Sequence, residues 1–448
     1  MRNFRLGRKV RMGLAVVAGL AAVWSGAVWT ALPAQAATGP VSSTPAYGTP
    51  QLTRTGATEQ VRQLVQCGGT MYAVGTFTQI NRGSSNYIRH NAFSFSATSP
   101  FTVTSWNPDV NGIVNSIAFG RNCAQAYLGG LFTSVHGTAV HNLAEVSAST
   151  GAVTSAFAHS ANGQVETFVS YGTHLLTGGY FTSINGSSAH SYFTSLNVAT
   201  GRDDGFLALA ISGHYQFPGV ADNPTRIYNQ QLSHGGTLDL VEGDFTSAGG
   251  RSRQQIFMLN LSGGHAAVTS WNSWAFYGNC ATIEPFYLQS AAWSPNDAKI
   301  YVATTGYHPN GMPLGATPRT GLCDAAAAFP STQATVSRLW INYAGCDSLY
   351  STAADASTVY IGGHERWADN SRDCDAAGPG AVSAPGMVGL SPATGAVTFN
   401  PTRARGYGAD DMLLTSAGLW IASDNYAGSA ACGRVYGHAG ICFLAYRR

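Results

Sequence analysis

The stretch GGYFTSING, running from Gly178 to Gly186, is one of four near copies in this chain. GGLFTSVHG begins at Gly129, VGTFTQINRG at Val74 and EGDFTSAGG at Glu242. A repeat of this length constrains a fold more than composition does, because each unit must bury its apolar face against its neighbours. The strand leading into each motif aligns without gaps: TMYAVGTF, AYLGGLF, HLLTGGYF and LDLVEGDF, then the weaker KIYVATTGY, TVYIGGHE and GLWIASDN. The residue four before the motif Phe marks each copy. It is Ala73, Leu128, Thr177 and Val241 in the clear copies, then Val302, Ile361 and Ile421, at intervals of 55, 49, 64, 61, 59 and 60.

Each unit reads as four short extended pieces. In Asn162 to Phe206 they are QVETFVSYG, HLLTGGYFTSI, SYFTSLNVATG and a degenerate fourth piece, which neighbouring units state better as GAVTSAF and VTSWNP. Alternating apolar residues bounded by Gly and Ala-Thr-Gly turns are strand signals. No segment after the N-terminal 36 residues carries a helical period. Four antiparallel strands per unit and seven units predict an all-β fold, a seven-bladed β-propeller. The last unit stops after its third strand, ICFLAYRR, while Val41 to Thr53 has no unit of its own. The N-terminal piece is therefore expected to supply the outer strand of the last blade and remove an open edge.

In this architecture the loop from strand two to strand three and the loop from strand four to the next unit share one face. FTSxNG and WNPDVNG (Trp106 to Gly112) should then crowd together. The recurring Phe77, Phe132, Phe181 and Phe245 read as plugs between blades, and Asn-Gly as a tight turn needing positive φ. The run GG-x-FTS-x-NG, a strand, ATGAVTSAF and then NG resembles the delta-60 repeat β-propeller family of secreted bacterial proteins. The resemblance covers about Val61 to Leu261 and fades from Trp271 onward. It implies a secreted propeller and brings no catalytic residues to carry over.

The first 36 residues read as a signal peptide. Arg2, Arg5, Arg8, Lys9 and Arg11 precede an apolar run from Met12 to about Leu32, and Ala34-Gln35-Ala36 is a small-x-small cleavage site. The alternative is a retained membrane anchor. Cleavage leaves residues 37–448 as one propeller domain. It lowers the basic count from 24 to 19 against 22 acidic residues, a net of −3. That balance argues against nucleic acid as a partner, and after cleavage no stable membrane insertion is expected. Eight cysteines without a C-x-x-C pair predict disulfides in an oxidising, extracellular setting. The expected pairs follow from neighbouring repeats: Cys67–Cys123, Cys280–Cys323, Cys346–Cys374 and Cys432–Cys442.

The copy that departs most is the sixth. Its motif position reads HERWADN, where His364, Glu365, Arg366, Trp367 and Asp369 add charge and an aromatic ring to a chain with only 10% charged residues. Those residue types suit a ligand-binding loop that stacks and hydrogen-bonds a sugar or holds a cation, or a solvated loop pinned by Cys374. No H-E-x-x-H, G-x-S-x-G, P-loop or D-x-D-x-D-G pattern is present, so no catalytic residue, metal site or cofactor is read from the chain. The doublets Asp203-Asp204 and Asp410-Asp411 offer one carboxylate to each face of a strand. Two readings stay open. One is a binding or surface-interaction module for a glycan, a cell wall or a protein. The other is an extracellular enzyme acting on polysaccharide, or holding a cofactor in a central channel.

Overall fold

The computed structural model describes residues 40–216, 224–277, 280, 287–306, 321–401, 408–425 and 438–447, together with the backbone of 10–11. The chain is all-β, and among the described residues the only helical element is the single 3-10 turn Trp274–Phe276. Of eleven sheets among the described residues, four are short ladders in the connections, and seven are built on the repeat's antiparallel strands and follow one another along the chain. Their second strands are Thr70–Thr76, Gln125–Leu131, His174–Gly179, Leu238–Asp244, Lys299–Thr304, Val359–Gly363 and Gly418–Ala422. Each contains one of the seven markers read from the repeat. We number the sheets I to VII in this order.

The first strand of each sheet, Gln60–Cys67 in I and Asp411–Thr415 in VII for example, lies beside the first strand of the next sheet. The first strand of VII lies in turn beside that of I. Cores form between sheets rather than within them. Val65, Tyr72 and Val74 of I pack with Ile117 and Leu128 of II. Leu64, Met71 and Phe93 of I pack with Trp420, Ile441 and Phe443 of VII. The second strands of I and VII are thus buried on both faces, which explains runs such as MYAV and LWIA that do not alternate. The backbone of Val10–Arg11 pairs in parallel with Gln230 and Gln231 on the first strand of IV.

Six of the seven first strands carry a register shift at the same point. The skipped residues are Arg62, Asn115, Glu166, Tyr228, Gln289 and Tyr350. A bulge bends the strand and re-aims the extra side chain. Three of these side chains reach the next sheet. Arg62 Nη1 donates to Asn115 Oδ1 at 3.1 Å, Asn115 Nδ2 donates to the Val165 carbonyl at 3.2 Å, and the Tyr228 hydroxyl donates to the Leu288 carbonyl. The bulge also explains one glycine of the motif. A Cβ on Gly75, Gly130, Gly179 or Gly243 would collide with the carbonyl of Gln60, Ile113, Gln164 or Arg226 respectively.

Two expectations are revised. In sheets I to III the fourth strand is reduced to single bridges, Phe95 with Val103, Val146 with Val153 and Leu196 with Asp203. The segment leaves the ladder because its aromatic residue turns toward the next sheet. Trp106 joins the I–II core and donates its Nε1 proton to the Ser147 carbonyl at 3.1 Å. The N-terminal piece divides between two sheets. Val41 bridges Tyr446, and Ser42 and Ala46 donate to the carbonyls of Ala445 and Phe443 at 2.7 and 2.8 Å, beside the third strand of VII. After a turn at Gly48, with φ 89°, Gln51–Leu52 joins Gln79–Arg82 and Ser85–Ile88 in a small separate sheet built on the two-to-three connection of I, while the Leu52 amide still donates to the Ala439 carbonyl at 2.9 Å.

Three disulfides join the expected partners, Cys67–Cys123, Cys280–Cys323 and Cys346–Cys374, with Cα separations of 5.9, 5.6 and 4.6 Å. Cys442 is also disulfide-bonded. Cys432 lies outside the described residues. No helix among the described residues is long and apolar enough to cross a membrane.

Candidate functional site

The repeated motif is held by a recurring clasp. Phe77, Phe132, Phe181 and Phe245 are each 2% exposed or less and fill the spaces between sheets. The next two residues turn outward, and their backbone is caught by the loop that precedes the sheet. Asn111 Oδ1 accepts from the amides of Thr133 and Ser134, both at 2.9 Å. Asn162 Oδ1 does the same for Thr182 and Ser183, again at 2.9 Å. In sheet I Glu59 Oε1 accepts from the amide and hydroxyl of Thr78 at 3.0 and 2.7 Å. These bonds place the two-to-three and four-to-one connections on one face, as the repeat predicts.

The sixth copy keeps this clasp with different chemistry. Glu365 stands at the plug position and is fully buried. Asp347 takes the place of Asn111 and accepts from the Arg366 amide at 3.0 Å. The Arg366 side chain then turns back on the same carboxylate, with Nε and Nη2 donating to Asp347 Oδ2 and Oδ1 at 2.8 and 2.9 Å. The hydrogen bonds from Asp347, helped by a second pair with Asp375, push the guanidinium well above its ordinary pKa. Asp369, with φ 54°, exchanges two bonds with Asn342 at 2.7 and 2.9 Å. Burial nevertheless raises its pKa. Trp367 is half-buried and pairs with Ser383 in a short ladder. His364 is half-buried, and its amide donates to the Ser348 carbonyl at 2.7 Å. The five candidate residues are therefore adjacent, but Glu365, Arg366 and Asp369 are directed into the protein.

The carboxylate doublets also separate. Asp203 Oδ2 accepts from Ser187 Oγ at 3.1 Å and meets His190 Nδ1 at 2.8 Å, while Asp204 Oδ2 meets His174 Nδ1 at 2.7 Å. Asp411 is fully buried and accepts from the Leu64 amide at 3.0 Å. Among the described residues no group of three or more His, Cys, Asp or Glu side chains is arranged to hold a metal ion.

Two features escape motif reading. Among the described residues six large apolar side chains are exposed: Tyr47, Ile88, Leu131, Tyr180, Trp274 and Leu339. Ile88, Leu131 and Tyr180 sit in or at the start of two-to-three connections, and Trp274 lies in the four-to-one loop between IV and V. Trp274 is 67% exposed and leans on Tyr277, with ring centroids 4.6 Å apart. The second feature is a pair of clefts of about 490 and 450 Å³ that meet at Ala189 and His190 of sheet III. The signal for the clefts was available only at one position, where Tyr192 replaces the Asn found in sheets I and II.

No family model matches the chain, and no curated protein sequence matches it. Among solved structures, the crystal structure of the computationally designed Ika8 protein aligns with 90% of this chain and 100% of its own, at 7% identity and a TM-score of 0.44.

Proposed function

We propose that the protein is a secreted seven-bladed β-propeller that works as a binding or surface-interaction module for a glycan, a cell-wall component or a protein. Seven consecutive sheets whose first strands neighbour one another, with the seventh beside the first, support the propeller reading. The basic start, apolar run and Ala-x-Ala site support export, as do the disulfides. The FTSxNG units support the kinship with delta-60 repeat propellers.

One observation carries the binding reading. Four of the six large apolar side chains exposed among the described residues, Ile88, Leu131, Tyr180 and Trp274, belong to or border the two-to-three and four-to-one connections, which the propeller topology sets on one face. Apolar and aromatic groups grouped on one rigid loop face mark an interaction surface. Trp and Tyr bring large area at low conformational cost. The His364–Asn370 loop contributes scaffold to this face rather than its contact residues. The test is sedimentation of the mature chain with purified bacterial cell-wall material and hybridisation to a glycan array. Binding that falls at least tenfold in Trp274→Ala and Tyr180→Ala but persists in Trp367→Ala is expected. Binding that ignores the first two changes, or no binding to any glycan, wall fraction or co-secreted protein, would overturn the reading.

A further inference from the structure

We propose that the paired clefts of sheet III form a binding site for a carboxylated sugar, with His190, Arg202 and Tyr192 as its contact residues. This deepens the loop-face reading by giving that face one site and one ligand class.

The site is built by the two-to-three connection. Ile184 and Ser187 exchange backbone bonds at 2.9 Å across Asn185 and Gly186, which both have positive φ, 48° and 83°. This tight Asn-Gly hairpin sets Ser187 Oγ on Asp203. Asp203 is the fixed point of the site. Burial works to raise its pKa, but bonds from His190, the Gly205 amide and Ser187 outweigh burial and hold it below the usual carboxylate range. An ionised Asp203 orients the His190 ring, whose Nδ1–H donates to it at 2.8 Å. Nε2 is then the ring's remaining polar atom, and His190 lines both clefts.

The two clefts differ in lining. One presents the polar side chains of Asn185, Ser187, Arg202 and Asp203. The other sets Tyr192, Leu209 and Ile211 beside His190 and Ser191, so polar and apolar surface are mixed there. Arg202 is exposed at the edge of the polar cleft. A guanidinium is the side chain best shaped to take a carboxylate in a two-pronged bond. An imidazole nitrogen suits a sugar hydroxyl, and a wall of tyrosine and aliphatic carbon suits the apolar face of a pyranose ring. A saccharide unit carrying a carboxylate presents all three chemistries within one ring.

Tyr192 supplies the independent argument. The residue just before the third strand is left-handed in four sheets: Asn91 φ 64°, Asn142 φ 62°, Tyr192 φ 69° and Gln255 φ 68°. Asn tolerates that conformation, and a bulky aromatic residue rarely adopts it. Asn91 and Asn142 also use Oδ1 to accept from the amides of Phe77 and Phe132, at 2.9 and 3.2 Å. A tyrosine ring has no carboxamide oxygen to accept from the Phe181 amide. In sheet III the left-handed backbone still lets the Tyr192 amide donate to the Phe181 carbonyl at 2.9 Å, but the side-chain bond of sheets I and II has no counterpart from the ring. A bulky aromatic residue in this conformation, at the residue that walls the cleft, is a departure that points to function.

The experiment is calorimetric titration of the mature chain with trigalacturonate and with the neutral galactose trisaccharide. Saturable binding of the acid is expected, at least tenfold tighter than the neutral sugar. Arg202→Gln and His190→Ala should weaken it about tenfold or more, and Arg251→Gln, at an exposed arginine of the two-to-three connection after the second strand of IV, should not. Tyr192→Asn restores the residue of sheets I and II, so it should weaken binding while leaving the melting temperature unchanged or higher. No binding of the acid up to about 10 mM, a range that covers dissociation constants weaker than millimolar, would overturn the proposal. So would equal binding of the neutral sugar, or binding indifferent to all three cleft changes. Wall binding that depends on Trp274 but comes with no uronate binding would sink this site and leave the loop-face reading standing.

Discussion

Arg366→Ala separates scaffold from site in the sixth copy. The guanidinium holds both oxygens of Asp347, at 2.8 and 2.9 Å, and that carboxylate's side chain is 3% exposed. Removing one partner of a buried, hydrogen-bonded ion pair costs about 3–5 kcal/mol, because the other charge stays buried without its counter-charge. The Arg366 side chain is itself 28% exposed, which puts the cost near the lower end, about 3 kcal/mol. The second pair, to a largely exposed Asp375, adds under about 1 kcal/mol. The chain from Ala37 has 448 − 36 = 412 residues. At about 2.1 cal/mol/K per residue its unfolding entropy is about 0.9 kcal/mol/K. The melting temperature should therefore fall by about 3–4 °C, read by calorimetry or circular dichroism at pH 7. The double change Arg366→Ala/Asp347→Ala should cost less than the sum of its parts, since the pair is coupled. A melting temperature within about 1 °C of the parent, together with loss of ligand binding, would refute the scaffold argument and return the loop to the role its composition suggests.

Gly130→Ala drives a Cβ into the Ile113 carbonyl and should cost about 1–3 kcal/mol as overpacking does; Gly137→Ala, strained by φ 74° but with open space around it, should cost less, and equal losses in melting temperature would contradict the bulge explanation. Asp239 is fully buried, and desolvation followed by the neighbouring Glu242 raises its pKa well above 3.8. The folded chain thus keeps a proton that the unfolded chain releases, so stability falls as pH rises from about 4 through the folded value; Asp239→Asn should remove that fall, and a variant-minus-parent difference that stays constant from acid to neutral pH would count against it. Deleting residues 37–46 uncovers the third strand of VII and takes away Val41, which is fully buried; the shortened chain should melt lower and self-associate through the freed edge, and a monomer of unchanged stability would speak against closure by this segment.

What was legible in the sequence is what the repeat writes in apolar residues and turns. The seven markers, the Phe plugs and the sharing of one face by two loop types all rest on burial and positive φ, which restrict residue type strongly. The clasp was not legible. It needs only an acceptor oxygen aimed at two amides, and Glu59, Asn111, Asn162 and Asp347 all supply one. A role filled by three residue types leaves no motif. The plug position hid the same way, since Glu365 is as buried as Phe181. The N-terminal piece adds a second pairing after the turn at Gly48 while Thr49 and Leu52 keep bonds to Ile441 and Ala439, a double use that its sequence does not announce.

A repeat protein carries its own controls, because each sheet states what a position needs when it serves the fold alone. His364 to Asn370 departs from the other copies in charge, yet it reproduces their bonds. Asp347 does for Arg366 what Asn111 does for Thr133, at 3.0 against 2.9 Å. Tyr192 departs in one uncharged residue and gives up a bond that Asn91 and Asn142 make. Composition is blind to that difference, because it counts what a side chain is and not which partner it leaves behind. A copy that changes chemistry while conserving its hydrogen bonds is a variation on the scaffold. Gln255 at the same position of sheet IV turns its side chain to Tyr287 and Leu288 instead, whereas Tyr192 faces a cleft, and that contrast is what the uronate titration puts to the test.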